Sequence, residues 1–465
     1  MKNYFYTLAF FLLSFISTAQ NPDYEQAFSS FQSQFNQQQY DQIYASFSAD
    51  FQKEINKEEL SLFLGSIYNQ YGNILSKEFV RHQPDGFAEF KTQFDSDYLS
   101  VNLALNEAKR ISGLYILPFE EEIVTPKSVV NALQPYGSDI AEMLFEKVKD
   151  YPNETQLSIG VYKDGKQTNY GVIKQNDTVK PIQNHTKIFE IGSISKVFVS
   201  TVLAQLVVEK KLELSGKVNA FYPYAFHNHN ELTLVNLSNH TSGVPRMPTN
   251  FGTTDMTNPY MLYGKQHLDN YLQSHLVFES APGTQYSYSN LGTGILAHTL
   301  SLSQKKSMRE LIQKRVFDKY KMKNSYTDSH QVKKDLVKGR GVNGEEVSNW
   351  DYEALFGAGG IYSTVDDLLK LAQAQWNSKN KECDLMRQPT FQVQENMHMG
   401  LGWHIIKAKS GKQFLFHNGG TGGYTSSMLV DVQNKAAIVI LSNLSAFHPE
   451  MGKIDKLLFE WSKLL

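Results

Sequence analysis

Apolar and polar positions fall into two regimes along the chain. Over residues 22–119, Tyr24, Ala27, Phe28, Phe31 and Phe35 recur at helical spacing, and the glutamines between them form the solvated face of an amphipathic helix. The Gln-rich run 32–42 keeps this spacing, so it is not low-complexity sequence. Residues 86–90, 99–105 and 111–117, each bounded by turn signals, predict strands. Helices followed by a meander predict an α+β domain, with the aromatics as its core. Glu120-Glu121-Glu122-Ile123-Val124-Thr125-Pro126 then interrupts the pattern with charge and proline, which places a linker over 120–130.

The second regime spans 131–465. Its longest apolar run, Val197-Phe198-Val199-Ser200-Thr201-Val202-Leu203-Ala204-Gln205-Leu206-Val207-Val208, is apolar almost all round and predicts a helix buried in a large core. Residues 157–162, the turn Asp164-Gly165 and residues 170–173 predict an opening hairpin. Residues 414–417 read as an apolar strand ending in His417. Residues 435–442, after the Gln433-Asn434 turn, predict a strand paired antiparallel with it. A closing helix is expected over 451–465. The predicted class is α+β: an antiparallel sheet flanked by helices, with a helical lobe inserted between Ser193 and His417 and a site where sheet and lobe meet.

Composition narrows the function classes. A chain of 465 residues suits two domains, and 41% hydrophobic content is ordinary for globular proteins. A net charge of −2 without a basic run argues against a nucleic-acid binder. The start Met1-Lys2-Asn3, an apolar stretch over 4–16 and the small residues Ser17-Thr18-Ala19 read as a secretory signal over 1–19, cleaved near Ala19, so the protein is expected to be exported, periplasmic or secreted. That stretch is short for a membrane span. Cys383, the only cysteine, lies far from the leader and excludes both a lipid-bearing cysteine there and an internal disulfide. Histidines are scattered, His227 and His229 being the nearest to a cluster, without a matching acidic set. No metal and no organic cofactor is expected.

Three strings carry candidate chemistry. Ser193-Ile194-Ser195-Lys196 follows Gly192 and opens the apolar helix, so hydroxyl and amine rise from one face, at a helix N-terminus with free N–H groups. A serine hydroxyl needs a base to take its proton as it attacks. The same spacing at Ser303 to Lys306 and Ser378 to Lys381 sits in polar, lysine-rich surface stretches and carries no such context. Tyr288-Ser289-Asn290 offers a phenol and a carboxamide on one side of an extended segment: Tyr288 to shuttle the serine proton, Asn290 to hold a substrate amide. Tyr71-Gly72-Asn73 shows that this string alone is cheap. His417-Asn418-Gly419-Gly420 ends a strand in glycines that allow close backbone approach.

Taken in order, these strings resemble the serine β-lactamase and penicillin-binding protein superfamily, in its class C-like branch. Phe189 to Phe198 resembles that family's nucleophile box, and residues 232–245 and 357–368 resemble two further family segments, over about residues 130–465. The resemblance implies that Ser193 forms an acyl-enzyme, that Lys196 and Tyr288 share the general-base work with either taking the first proton, and that Asn290, His417 and Gly419 contact substrate. It also implies an oxyanion hole formed by the backbone N–H groups of Ser193 and Gly420. Where β-lactamases of this branch carry Lys-Thr-Gly, this chain has His417-Asn418-Gly419, which weakens the fixed charge for a substrate carboxylate. D-alanyl-D-alanine carboxypeptidases, D-amino-acid peptidases and esterases share the His-x-Gly form. The expected function is therefore an exported serine hydrolase acting on a small peptide of the D-amino-acid or peptidoglycan type, or on an ester, with β-lactams less favoured. The alternative is a penicillin-binding or cell-wall-fragment sensor that acylates and stalls. Residues 22–119 resemble the cone-like nuclear-transport-factor-2-like fold, which implies contact with peptidoglycan or the cell surface, or simple spacing.

Overall fold

The computed structural model describes residues 22–83, 86–119, 129–228, 230–252, 255, 257–332 and 335–465. The secretory signal, all but the last two residues of the linker, and His229 lie outside the described residues. The chain divides into two compact units, Met1–Pro126 and Lys127–Leu465.

The smaller unit opens with helices α1 (Pro22–Asn36), α2 (Tyr40–Ser46), α3 (Phe51–Glu54) and α4 (Lys57–Tyr71). In α1 the helical spacing buries Phe28, Phe31 and Phe35, each worth roughly 2–3 kcal/mol of transfer free energy. The Gln-rich run is not one helix: it breaks between α1 and α2, where Gln38 turns through φ 53°. A capping box of Asn56 and Glu59 starts α4. Strands β1 (Ile74–His82), β2 (Phe87–Phe94), β3 (Tyr98–Leu105) and β4 (Ile111–Pro118) then form an antiparallel meander. Ala88, Phe90, Thr92 and Phe94 alternate inward, and the helix aromatics close on them. The sequence gives no warning of β1, because Lys77, Glu78 and Arg81 break its alternation and most of it is exposed.

In the larger unit a ten-stranded sheet holds the centre. After β5 (Val130–Asn131) and helix α5 (Ser138–Val148) come β6 (Gln156–Lys163), β7 (Lys166–Gln175) and β8 (Thr178–Pro181). The hairpin β6–β7 turns at Asp164 and Gly165 with φ of 51° and 77°, as a two-residue turn between twisted strands requires. A two-stranded ribbon of β9 (Phe189–Glu190) and β10 (Tyr362–Ser363) flanks the lobe. The lobe's helices are α6 (Ser195–Val208), α7 (Leu234–Ser238), α8 (Lys265–Ser274), α9 (Asn290–Gln304), α10 (Met308–Ile312), α11 (Asp318–Tyr320), α12 (Val365–Ala374) and α13 (Lys381–Met386). Strands β11 (Phe391–Gln394), β12 (Met397–Met399), β13 (His404–Lys407), β14 (Gln413–Gly420), β15 (Thr425–Asp431) and β16 (Ala436–Ser442), then helix α14 (Lys453–Ser462), complete the unit. The strand order is β11-β12-β13-β14-β15-β16-β6-β7-β8-β5.

Two expectations about this sheet are corrected. The strand carrying His417 does not pair with residues 435–442; β15 lies between them and bonds to both. All seven residues of β15 are buried, and its leading Thr425, Ser426 and Ser427 supply no alternating apolar signal. Nor does β14 end at His417, since Asn418, Gly419 and Gly420 continue the ladder opposite Ser427, Ser426 and Thr425.

The sheet is covered on both faces. Leu144 and Val148 of α5 and Leu457, Leu458 and Trp461 of α14 pack on Ile159, Ile438 and Ile440. On the other face lies the larger core around α6, whose residues from Ser195 to Leu206 are all buried, as the unbroken apolar run predicts. Cys383 is buried against Tyr320 despite its polar neighbours in sequence.

Candidate active site

Gly192 places the serine. It adopts φ +47°, and a Cβ there would lie 2.6 Å from the Gly420 nitrogen. Across the gap, a Cβ on Gly419 would lie 2.2 Å from the Ile191 carbonyl and 2.7 Å from the Ser193 nitrogen. Two glycines thus bring the end of β14 against the turn Gly192–Ile194 that starts α6. Ser193 itself remains partly exposed.

Lys196 is 1% exposed, and its Nζ lies 3.0 Å from Ser193 Oγ, 2.8 Å from Asn290 Oδ1 and 2.8 Å from the Ala358 carbonyl. Burial, with Arg246 adding repulsion, pulls its pKa well below the ordinary lysine value. Two of its neighbours only accept hydrogen bonds. A neutral amine therefore satisfies Asn290 and Ala358 with its two N–H groups and turns its lone pair to Ser193.

Tyr288 lies against Ser193 and Lys196, its ring centroid 4.8 Å from Lys196 Nζ. Burial pushes the phenol up in pKa, and the contact with Ser193 pulls the other way. Asn290 is not on an extended segment; it is the first residue of α9, after the cap Ser289, whose Oγ accepts from Gly292 N at 2.8 Å. Because the cap keeps extended dihedrals (φ −131°, ψ 119°), Tyr288 and Asn290 still converge on Lys196. Asn290 Nδ2 donates to Tyr260 Oη at 3.2 Å.

His417 is 1% exposed and donates from Nδ1 to the Asn418 carbonyl at 2.6 Å, which leaves Nε2 buried and unpartnered among the described residues. Burial holds its pKa well below the usual histidine value. His404 lies beside it, ring centroids 5.3 Å apart, with Nε2 3.0 Å from Tyr286 Oη. His240 packs on Tyr288 at 4.4 Å and accepts from Ser289 N at Nδ1. Three histidines thus gather at the site, His240, His404 and His417. Each comes from a different element, so no spacing in the sequence could have joined them. Ala358 and His240 fall within segments 357–368 and 232–245, whose family-like strings were the one available signal. Arg246, Tyr260 and Tyr286 had none. Among the described residues no group of three or more histidine, cysteine or acidic side chains is arranged to hold a metal ion.

Behind the site, buried Glu190 accepts from Asn349 Nδ2 at 2.6 Å and Trp350 N at 3.0 Å. Trp350 in turn covers Gly422, where a Cβ would meet its Nε1 at 2.8 Å.

Comparison with known proteins extends this geometry. The family model described as Beta-lactamase matches residues 146–460, and one described as a protein of unknown function, DUF3887, matches residues 29–114. A D-alanyl-D-alanine-carboxypeptidase/endopeptidase, AmpH, of Escherichia coli (strain K12) is 26% identical over 367 residues, covering 72% of this chain and 93% of its own. A beta-lactamase of Pseudomonas fluorescens is 27% identical over 263 residues, covering 54% of this chain and 69% of its own. Among solved structures, a beta-lactamase/D-alanine carboxypeptidase from Pseudomonas syringae shares the fold with TM-score 0.57 at 20% identity, over 70% of this chain and 99% of that one. A class C beta-lactamase does so with TM-score 0.58 at 21% identity, over 71% and 96%.

Proposed function

Because the chain belongs to the beta-lactamase family and is a serine hydrolase, we propose that it opens an amide or ester bond through an acyl-enzyme on Ser193. The observation that carries this reading is the 3.0 Å approach of Lys196 Nζ to Ser193 Oγ, with Asn290 and Ala358 occupying the amine's hydrogens. Lys196, its pKa lowered, takes the serine proton as Ser193 attacks. Tyr288, its pKa raised, stays a neutral phenol and relays that proton to the leaving group. The N–H groups of Ser193 and Gly420, brought close by Gly192 and Gly419, stabilise the oxyanion. Water then releases the acyl group.

His417 and Gly419 are assigned to substrate contact from the end of β14, and Asn290, whose Oδ1 accepts from Lys196 and whose Nδ2 donates to Tyr260 and Met247, reaches the substrate amide by exchanging one of its Nδ2 contacts for it. A neutral histidine in place of a lysine weakens the hold on a carboxylate at that position, and this departure from the β-lactamase pattern is why we place the chain with the D-amino-acid peptidases and small esterases and not with the β-lactam hydrolases. The similarity to a D-alanyl-D-alanine-carboxypeptidase/endopeptidase supports the peptide. The protein is proposed to act outside the cytosol after loss of residues 1–19; among the described residues no helix is long and apolar enough to cross a membrane.

Intact-mass spectrometry with a fluorophosphonate tests the nucleophile. One adduct is expected on the wild type and none on Ser193→Ala, whose turnover of a p-nitrophenyl ester and a D-Ala-D-Ala peptide should fall at least about 1,000-fold. Labelling that survives the substitution rejects Ser193. The same spectrum of exported protein locates the amino terminus, expected just past Ala19. A lasting penicillin adduct without turnover of any substrate would instead identify a sensor.

A further inference from the structure

The positive groups around Ser193 differ in what they have left to offer a substrate. Lys196 is buried and its contacts are taken by Ser193, Asn290 and Ala358. His240 accepts a backbone N–H at Nδ1, so it carries a single proton and no charge. His417 donates from Nδ1 to a carbonyl, and its second nitrogen is buried without a partner; in its neutral form that nitrogen presents a lone pair, which repels a carboxylate. His404, next to it, is half-buried, with Nε2 3.0 Å from the Tyr286 hydroxyl and Nδ1 enclosed without a partner among the described residues, facing away from solvent like Nε2 of its neighbour.

Arg246 is different. Its side chain is exposed, its guanidinium carbon lies 5.2 Å from the Tyr288 ring centroid, and among the described residues it has no carboxylate or hydrogen-bond partner. Its backbone is fixed: the Arg246 carbonyl accepts from both Asn290 N and Leu291 N at 3.0 Å. The main chain that carries the cation is therefore anchored to the start of α9, the guanidinium lies over the proton-relaying phenol, and among the described residues none of its five donors is taken. The buried acid of this region, Glu190, is turned away to Asn349 and Trp350. A planar fork of donors matches a carboxylate, with which it forms paired charge-assisted hydrogen bonds.

We infer that Arg246 binds a free carboxylate of the substrate, at the Tyr288 side of the site, and so replaces the cation that the His417 position lacks. This rests on the acyl-enzyme reading above. It makes Arg246 a specificity-determining residue and the substrate an anionic acyl compound. A peptide with a free chain end or an acidic residue beside the reacting bond is of this class.

Two matched substrate pairs test it: an N-acyl D-Ala-D-Ala peptide against its C-terminal amide, and the p-nitrophenyl monoester of adipic acid against p-nitrophenyl pentanoate. Arg246→Ala should raise KM for the carboxylate member of at least one pair by roughly 10- to 100-fold more than for its neutral twin. Arg246→Lys should recover part of that difference, and the affected pair tells which end of the substrate the arginine holds. Arg246 also lowers the Tyr288 pKa. If it served only that purpose, both members of each pair would lose kcat/KM equally and the pH profile would shift for all four substrates, which would overturn the inference. Wild-type turnover of the neutral ester through Ser193 with no preference change in the variants rejects the carboxylate anchor alone. No Ser193-dependent turnover of anything rejects the underlying hydrolase reading.

Discussion

Single residues set the protonation pattern of this protein, and burial dominates it. Glu190 shows how that reaches stability. Burial pushes its carboxyl up to about 7 from an ordinary 4.5, with donors including Asn349 and Trp350 acting in the opposite direction. Between those values the folded protein keeps a proton that the unfolded chain has lost. Its contribution therefore falls as pH rises from about 4.5 to about 7 and is level above, by up to about 3 kcal/mol. Glu190→Gln keeps the accepting oxygen and removes the slope, so its stability relative to wild type should be better at pH 8 than at pH 5. Urea midpoints at the two pH values check this, and an offset independent of pH contradicts it. At this scale the sequence was informative where partners are close in the chain. Ser193 and Lys196 meet because three residues are nearly one helical turn, and Tyr288 and Asn290 meet across one cap. Arg246, Tyr260 and His404 were silent, because what brings each to the site is tertiary folding across 40 to more than 200 residues.

Elements were legible in proportion to how regular their burial is. The all-round apolar α6 and the Asp164-Gly165 hairpin carry their own signals, whereas exposed β1 and fully buried β15 lack an alternation. The feature with most consequence at this scale is the contact between β14 and the turn before α6, where backbone meets backbone with no room for a methyl group. Gly419→Ala should push the strand off that turn. The fluorophosphonate labelling rate of Ser193 is expected to fall at least about 100-fold, since misplacing donors by about an ångström costs that much. Labelling at the wild-type rate, in a variant that keeps its far-ultraviolet circular dichroism, would mean that the two backbones can separate without loss.

For the whole molecule, two closed cores imply two units that respond separately to mutation. Phe90, buried in the smaller unit among Phe28 and Phe79, is the test: Phe90→Ala should cost that unit about 3–5 kcal/mol while Ser193 still labels in the larger one. Calorimetry resolves which transition moves, and loss of labelling alongside it would show that the units fold as one. The division itself was visible as a change from helical aromatic spacing to long apolar runs. The strand order was not, since pairing depends on which edges meet. That order has a consequence for how the protein is made. Strand β16, made after every other strand of its sheet, sits between β15 and the early β6. Synthesis can thus deliver a finished small unit while β6 still waits, one edge open, for a partner more than 270 residues downstream. A chain cut short before residue 436 is left with two unsatisfied sheet edges, a substrate for chaperones and proteases rather than a smaller enzyme.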